Sequence, residues 1–202
     1  MILAAGSSSR MGTPKQALRL HGGSLLRRTA LAALDAGCAP VIVVTGANAE
    51  VSRGEIEGLD VVEAFNPAWE MGMGSSVRTG MEALDRVGPD VETAVLLVCD
   101  QPHVTADVVL GLIAAHVHAA RPLTASAYGG AAGVPAVFSR ALFGELRAIE
   151  GAAGAREVIR RHAASAHLVP FALGEVDVDT PEDFARVSAE AERGSGAGVR
   201  DG

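Results

Sequence analysis

The stretch from Ile2 to Lys15, ILAAGSSSRMGTPK, joins a short apolar start to glycines, serines and two basic side chains. A flexible tight turn would explain the glycines and serines, because both residue types relax backbone constraints. An anion cradle would explain the same residues, with free backbone N–H groups beside Arg10 and Lys15. The stretch fits neither GxxxxGK[ST] nor GxGxxG, so by itself it leaves both interpretations open.

Carboxylates follow two later apolar segments. Asp100 ends the run TAVLLVCDQP, where a carboxylate must be solvated, hydrogen-bonded or bound to a cation. Asp177 and Asp179 alternate with Val178, which puts both on one face of a predicted strand. Each acid also has a purely structural explanation, since Asp100 could cap a turn and Asp179 could cap the helix after it. With a polyanion in the glycine loop, one or two of these acids would suffice to hold Mg²⁺.

Composition restricts the classes of partner. The chain has 202 residues and a net charge of −7, which argues against a surface that follows a nucleic-acid backbone. An aromatic fraction of 3% makes a base-stacking surface unexpected. No apolar run is long enough for a membrane span and no export leader is recognisable. Cys38 and Cys99 form no CxxC or zinc pattern, which favours buried free thiols in a reducing cytoplasm.

Alternating strand and helix patterns predict an α/β fold with a largely parallel sheet and helices on both faces. Predicted strands lie at 2–5, 40–46, 59–65, 93–102, 122–128, 133–140 (GVPAVFSR), 166–173 and 175–180. Predicted helices begin at the caps Ser24 and Thr105, at Gly74 with a serine cap, and at Pro181, with others around 47–57, 139–149 and 154–163. We expect one domain over 1–192 and a disordered tail over 193–202.

Three polar segments fall where ligands bind in such folds, beyond the carboxyl ends of the strands. They are the loop 5–15, GMGSS at 72–76 and CDQP at 99–102. Other chemistry is poorly supported, because the chain has no G-x-S-x-G elbow. The histidines His116, His118 and His162 lie in helical stretches and are interpreted as surface or structural residues.

Five ordered segments together resemble the MobA-like NTP transferase family, which includes the molybdenum cofactor cytidylyl- and guanylyltransferases. The segments cover nearly the whole chain: LAAGSSSRMGTPK, NPAWEMGMGSSVRTG, CDQP, YGGAAGVPAVF and DVDTPED. The resemblance implies a three-layer Rossmann-like nucleotidyltransferase fold with a mostly parallel central sheet. It also implies a nucleotide half at about 1–104 and an acceptor half at about 105–192.

The resemblance assigns roles to individual residues. It implies that Arg10, Lys15 and Asp100 are catalytic, and that Asp100 holds Mg²⁺ with Asp179 as second ligand and Asp177 in reserve. Besides Arg10 and Lys15, the implied nucleotide-binding residues are Leu3, Ala4, Ala5, Gly6, Ser7, Ser8, Ser9, Thr45, Gly46, Asn66, Gly72, Met73, Gly74, Ser75 and Ser76. The implied acceptor-binding residues are Gly130, Gly133, Val134, Pro135 and Arg156.

Ala5 resembles the cytidylyl branch and implies CTP as the nucleotide. The implied acceptor is molybdopterin carrying molybdenum, and a molybdenum hydroxylase or its chaperone is the implied transient partner. Val134 and Ala152 stand where close cytidylyl relatives usually carry histidine and aspartate, which favours another phosphorylated acceptor. A nucleotide-binding oxidoreductase or a cofactor chaperone on the same fold is the third interpretation. Only Met1 to Leu3 precede AAG, so we expect a frayed first strand or a start assigned too late.

Overall fold

The computed structural model describes residues 1–196, and its centre is a seven-stranded sheet in the order β5-β4-β1-β6-β8-β7-β9. Within these residues β8 is the one strand of this sheet that runs opposite to the others. A small hairpin pairs β2 with β3. The strands are β1 (Ile2–Leu3), β2 (Arg19–Leu20), β3 (Gly23–Ser24), β4 (Ile42–Thr45), β5 (Val62–Phe65), β6 (Thr93–Val98), β7 (Leu123–Tyr128), β8 (Ala131–Ser139) and β9 (His167–Pro170).

Helices cover both faces of the sheet, as the strand and helix patterns predict. They are α1 (Leu25–Asp35), α2 (Ala49–Ile56), α3 (Met73–Val87), α4 (Ala106–Ala119), α5 (Phe143–Arg147), α6 (Ala155–His162) and α7 (Pro181–Gly196). Two of the three predicted side-chain caps are present. The Ser24 hydroxyl accepts the Arg27 N–H at 3.1 Å, and the Thr105 hydroxyl accepts the Val108 N–H at 3.4 Å. The serine cap predicted for the helix after Gly74 is wrong, because α3 begins earlier, at Met73, with Gly72 at its N-cap and no side-chain cap.

Two apolar clusters, one on each face, hold the three layers together. Val77 and Met81 of α3 pack with α5 and α6 against one face, and Leu26 and Ala30 of α1 pack with Val109 of α4 against the other. The three-layer fold with a mostly parallel sheet is therefore confirmed. No helix within residues 1–196 is both long enough and apolar enough to cross a membrane.

The first strand is short, as expected, but it is not frayed. β1 lies between β4 and β6 and pairs in parallel with both, and Ile2 is fully buried. A two-residue strand in the middle of the sheet thus carries the loop that follows it.

The predicted strand at 175–180 is wrong. A 3-10 helix (Ala172–Glu175) is followed there by chain with no sheet pairing. Val178 is fully buried, and its N–H donates to the Asp100 carbonyl at 2.9 Å. The alternation of Asp177, Val178 and Asp179 therefore reflects the burial of one side chain against the end of β6.

Other boundaries also differ from the sequence pattern. The predicted strand at 93–102 ends at Val98, before Asp100, and the predicted helix at 139–149 is a 3-10 helix (Arg140–Leu142) followed by α5. Helix α7 continues through Gly196, past residue 193, where the predicted tail begins. The rest of that predicted tail, 197–202, lies outside the described residues.

Candidate active site

The glycine-serine loop after β1 has a defined internal support, Gln16. This side chain is fully buried, and its Nε2 donates to the carbonyls of Ala4 and Gly6, both at 2.9 Å. The Ser8 hydroxyl accepts the backbone N–H of Lys15 at 3.0 Å. These bonds fix the loop backbone, so the interpretation as a flexible turn is not supported. Sequence reasoning missed Gln16, because one glutamine beside a glycine loop is no signal of burial.

We expect Gln16→Met to lower the free energy of unfolding by about 1–3 kcal/mol, because it leaves two backbone carbonyls without their donor. Urea denaturation followed by circular dichroism measures this change. The exposed neighbour Thr13 provides the control, since Thr13→Ala should change stability by less than about 0.5 kcal/mol. Equal stability of Gln16→Met and Thr13→Ala would show that Gln16 does not support the loop.

Lys15 joins the two carboxylates that the sequence singles out. Its Nζ lies 2.5 Å from Oδ2 of Asp100 and 3.1 Å from Oδ1 of Asp179. Arg10, a largely exposed side chain, contacts the other oxygen of Asp179 at 2.8 Å. Burial alone would lower the pKa of Lys15, but the adjacent Asp100 carboxylate raises it above its ordinary value, so the ammonium stays charged. Lys15 is also the single lysine in the sequence.

Asp177 lies apart from this ion pair. Its side chain has no hydrogen-bond or ion-pair partner within residues 1–196. Burial, followed by repulsion from Asp100 and Asp179, raises the pKa of Asp177 from 3.8 to about 6. Ionised Asp177 therefore disfavours the folded state, and this cost is absent below its ordinary pKa and complete above about pH 6.

Asp177→Asn is accordingly expected to raise the melting temperature at about pH 7.5, and the gain should shrink toward zero as the pH falls through about 6 to about 4. Thermal unfolding in EDTA at several pH values measures the difference. Asp60→Asn, at an exposed carboxylate, controls for the loss of one negative charge. A gain that stays constant across this pH range would contradict the assignment.

Two cavities meet at the end of β6. The smaller cavity, of about 300 Å³, lies over the glycine loop. The larger cavity, of about 470 Å³, faces the C-terminal half. Met73, Val98 and Asp100 line both cavities. The smaller cavity brings together ten of the predicted nucleotide-binding and catalytic residues: Leu3, Ala4, Ala5, Gly6, Ser7, Lys15, Gly72, Met73, Ser76 and Asp100. Trp69 and Glu70 line it as well, and sequence reasoning did not single them out.

The other predicted nucleotide-binding residues lie outside this lining. Thr45 is buried and donates its hydroxyl to Glu63 at 2.6 Å. Asn66 is buried and donates to the hydroxyls of Ser75 at 2.8 Å and Ser76 at 3.0 Å, which anchors the start of α3. The residues that do not line the smaller cavity are Ser8, Ser9, Arg10, Thr45, Gly46, Asn66, Gly74 and Ser75.

Gly46 supports the glycine loop from behind. A Cβ at this position would lie 2.6 Å from the Ala5 carbonyl oxygen and 2.9 Å from the Trp69 Cβ. We expect Gly46→Ala to push Ala5 and Trp69 into the smaller cavity and to weaken nucleotide binding about tenfold or more. Isothermal titration with a nucleotide measures this effect. Gly54→Ala, at a position with open space, is the matched control and should bind like the parent.

Gly72 and Gly74 let the two halves of the chain approach closely. The Gly74 N–H donates to the Gly151 carbonyl at 2.9 Å, and a Cβ at either glycine would lie within 2.9 Å of that oxygen. The loop at 149–154 therefore packs directly on the start of α3. Met73, between the two glycines, lines both cavities.

Three of the predicted acceptor-binding residues, Gly133, Val134 and Arg156, line the larger cavity, and Gly130 and Pro135 do not. Gly133 makes room for Tyr128, since a Cβ there would collide with the Tyr128 hydroxyl. Tyr128 and Gln101 also line this cavity and were not predicted as site residues. The resemblance therefore predicted part of the lining of the larger cavity but did not predict Gln101 or Tyr128.

Asp100 and Asp179 form the candidate donor set for a divalent ion. Residues 1–196 contain no group of three or more His, Cys, Asp or Glu side chains arranged for a metal. Asp100 and Asp179, however, both contact one ammonium nitrogen, so their oxygens converge. Mg²⁺ is commonly held by one or two carboxylates together with substrate phosphates, and Asp100 and Asp179 fit that requirement.

Ligands of mostly parallel sheets bind beyond the carboxyl ends of the strands, where this sheet has a glycine loop and a lysine–carboxylate centre between two cavities. A nucleotidyltransferase site has this arrangement of a phosphate-binding loop beside charged groups. Comparison with known proteins agrees. Residues 1–166 match the family described as the MobA-like NTP transferase domain, and the chain belongs to this family. The resemblance inferred from the sequence is thus confirmed.

Named relatives span nearly the whole chain. The purine catabolism protein PucB of Bacillus subtilis is 33% identical, covering 93% of this chain and 94% of its own length. The nicotine blue oxidoreductase of Paenarthrobacter nicotinovorans is 30% identical with the same coverage. The structure of Rv0371c of Mycobacterium tuberculosis in complex with manganese is 30% identical with a TM-score of 0.73, covering 93% of this chain and 96% of that one.

Proposed function

We propose that the protein is a Mg²⁺-dependent CTP:molybdopterin cytidylyltransferase, which forms molybdopterin cytosine dinucleotide and pyrophosphate. One observation carries the proposal: two cavities, each large enough for part of a substrate, meet at Asp100 beside Lys15. Transfer between two bound substrates requires this adjacency, because the attacking and departing groups must lie on opposite sides of one phosphorus atom.

In this proposal the smaller cavity binds the nucleotide. The backbone of Ala5, Gly6 and Ser7 faces the triphosphate, and Lys15 and Arg10 neutralise its charge. Lys15 would release its contact with Asp100 to do so, exchanging one anionic partner for another. Alanine at position 5, as in the cytidylyl branch, supports CTP over GTP.

Asp100 and Asp179 are the residues proposed to hold the divalent ion. When bound, the ion would neutralise charge on the transferred phosphate and on departing pyrophosphate. The manganese complex of the mycobacterial relative supports a divalent ion of this kind. Lys15 would stabilise the same developing charge from the protein side.

The larger cavity is proposed to bind the acceptor, whose phosphate attacks the α-phosphorus in line. No protein nucleophile takes part. The nearest thiol, Cys99, is unsuited to attack, because burial and then the Asp100 charge raise its pKa to about 12 and keep it protonated. The chain's own groups therefore bind, orient and neutralise the substrates.

The wider setting belongs to the same proposal. We assign residues 1–104 to the nucleotide half and 105–192 to the acceptor half of one domain. A cytoplasmic location agrees with the two free cysteines, and a molybdenum hydroxylase or its chaperone would receive the product.

Two alternatives have specific support. Val134 and Ala152, which replace the usual histidine and aspartate, both line the larger cavity and favour a different phosphorylated acceptor. An oxidoreductase activity is favoured by the name of the Paenarthrobacter relative. In the experiment that follows, the different acceptor predicts CTP binding without pyrophosphate release, and the oxidoreductase predicts no release with any of the three nucleotides.

A pyrophosphate-release assay with Mg²⁺ and molybdenum-loaded molybdopterin tests the proposal, with CTP, GTP and ATP compared side by side. Release with CTP alone is the expected result. Release with GTP or ATP instead would show that the enzyme uses that nucleotide rather than CTP. Binding of CTP without pyrophosphate release would favour a different acceptor. Absence of both binding and release would contradict the proposed function.

A further inference from the structure

Gln101 and Tyr128 form a polar layer at the base of the 470 Å³ cavity, which we call the cavity base. Gln101 follows Asp100, is 3% exposed and lines the cavity. Its Nε2 donates to the carbonyls of Gly174 at 2.7 Å and Val134 at 3.1 Å, and it lies 3.4 Å from the Tyr128 hydroxyl. These acceptors around one nitrogen fix the orientation of the amide, and with it the position of the amide oxygen.

The amide oxygen of Gln101 has no hydrogen-bond partner among the described residues, although it is buried. A buried acceptor without a partner destabilises the folded protein, so its presence requires an explanation. Tyr128 does not supply the missing donor, because its hydroxyl donates to the Val134 carbonyl at 2.8 Å. The donors of the cavity base are therefore all engaged, and its unused capacity is that of an acceptor.

The rest of the cavity adds charged side chains of both signs. Asp177 lines it and contributes a carboxylate acceptor without a hydrogen-bond or ion-pair partner in residues 1–196, and Arg156 and Arg160 line it as N–H donors. The walls include the apolar side chains of Leu96, Val134 and Ile159. Apolar walls with a few fixed polar groups are typical of small-molecule sites, where the polar groups set orientation and specificity. A molecule with flat apolar faces, N–H groups on its edge and an anionic group for the two arginines complements this lining.

We propose that Gln101 is a specificity-determining residue for the second substrate, and that its Oε1 accepts a hydrogen bond from a ring N–H of a heterocycle held between the apolar walls. The inference rests on the proposed function in one respect, that the larger cavity takes the acceptor. A second substrate without such a donor would leave Oε1 without a partner and would therefore bind more weakly. Other sites built to hydrogen-bond a polar substrate group discriminate in the same way.

A pair of heterocycles isolates this hydrogen bond. Lumazine carries ring N–H groups, and 1,3-dimethyllumazine carries methyl groups at the same nitrogens. Fluorescence titration of the full chain, without nucleotide or metal, gives a dissociation constant for each. We expect lumazine to bind about tenfold tighter or more. In Gln101→Met the ratio should fall to about one. Tyr128→Phe, which loosens the cavity base but leaves Oε1 in place, should keep the ratio.

Several results would overturn the inference: equal binding of the two heterocycles by the parent protein, no binding of lumazine, or an unchanged ratio in Gln101→Met. If Gln101→Met does not fold by circular dichroism, Gln101→Asn gives the same readout, because it withdraws the oxygen by one methylene. The ratio is measured without transfer. A retained ratio with no pyrophosphate release would therefore contradict only the proposed function, and release without selectivity would contradict only the role of Gln101.

Discussion

Asp100→Ala is expected to lower kcat for nucleotidyl transfer by about 10³ or more. Asp100 is the carboxylate shared by the two cavities, and it is the proposed principal ligand of the divalent ion. Its loss removes charge stabilisation that is needed most as pyrophosphate departs. Steady-state pyrophosphate release at saturating Mg²⁺ measures the effect, and circular dichroism checks the fold.

Asp85→Ala is the matched control. Asp85 lies near the C-terminal end of α3, forms a surface ion pair with Arg147 of α5 and lines neither cavity. Its kcat should equal that of the parent within about twofold. A folded Asp100→Ala protein with the parent kcat would refute the metal assignment. A loss of activity in both variants would point to a general loss of stability.

Lys15→Met is expected to weaken binding of the nucleoside triphosphate and to lower kcat by about 10² or more. Among the described residues the Lys15 ammonium is the cation that contacts both carboxylates, and its removal leaves Asp100 and Asp179 to repel one another. Lys15→Arg keeps the charge but replaces a compact donor with a planar one, so we expect an intermediate rate. Rates and dissociation constants for CTP separate the two contributions.

The same variant has a second readout. Because Mg²⁺ would relieve the repulsion between the two aspartates, Mg²⁺ should raise the melting temperature of Lys15→Met more than that of the parent. Arg19→Met, in the hairpin and outside both cavities, is the control for the loss of a positive charge. An Mg²⁺ response equal in Lys15→Met and the parent would show that the ion does not bind between these carboxylates.

The general features of the fold follow from local patterns. Continuous β-branched runs such as Ile42–Thr45 predict strands buried on both faces, and the hydroxyl caps at Ser24 and Thr105 predict where helices begin. The glycine loop and Asp100 were also predicted, because strand ends in parallel sheets meet at one edge. These predictions depend on neighbours in sequence and on a common rule of architecture.

The features that were missed depend on contacts distant in sequence. Gln16 and Gln101 have no distinguishing local pattern, and their importance comes from carbonyls brought near them by folding. The residues around Val178 alternate like a strand, yet the Val178 N–H donates to the Asp100 carbonyl and the segment pairs with no neighbouring strand. The hydrogen bond from the Thr45 hydroxyl to Glu63 was likewise not predicted, and the assignment of Thr45 to the nucleotide stays a prediction.

The solitary lysine of this chain has a spectroscopic consequence. A sample grown with lysine labelled at the side-chain nitrogen would contain a single such ¹⁵N nucleus, and that nucleus lies between Asp100 and Asp179. Its chemical shift and hydrogen exchange would thus follow the active centre alone, free of overlap from any other side-chain ammonium. Titrations with a nucleotide, a divalent ion or an acceptor could each be followed on that one resonance, in the unmodified protein and without a chromophore.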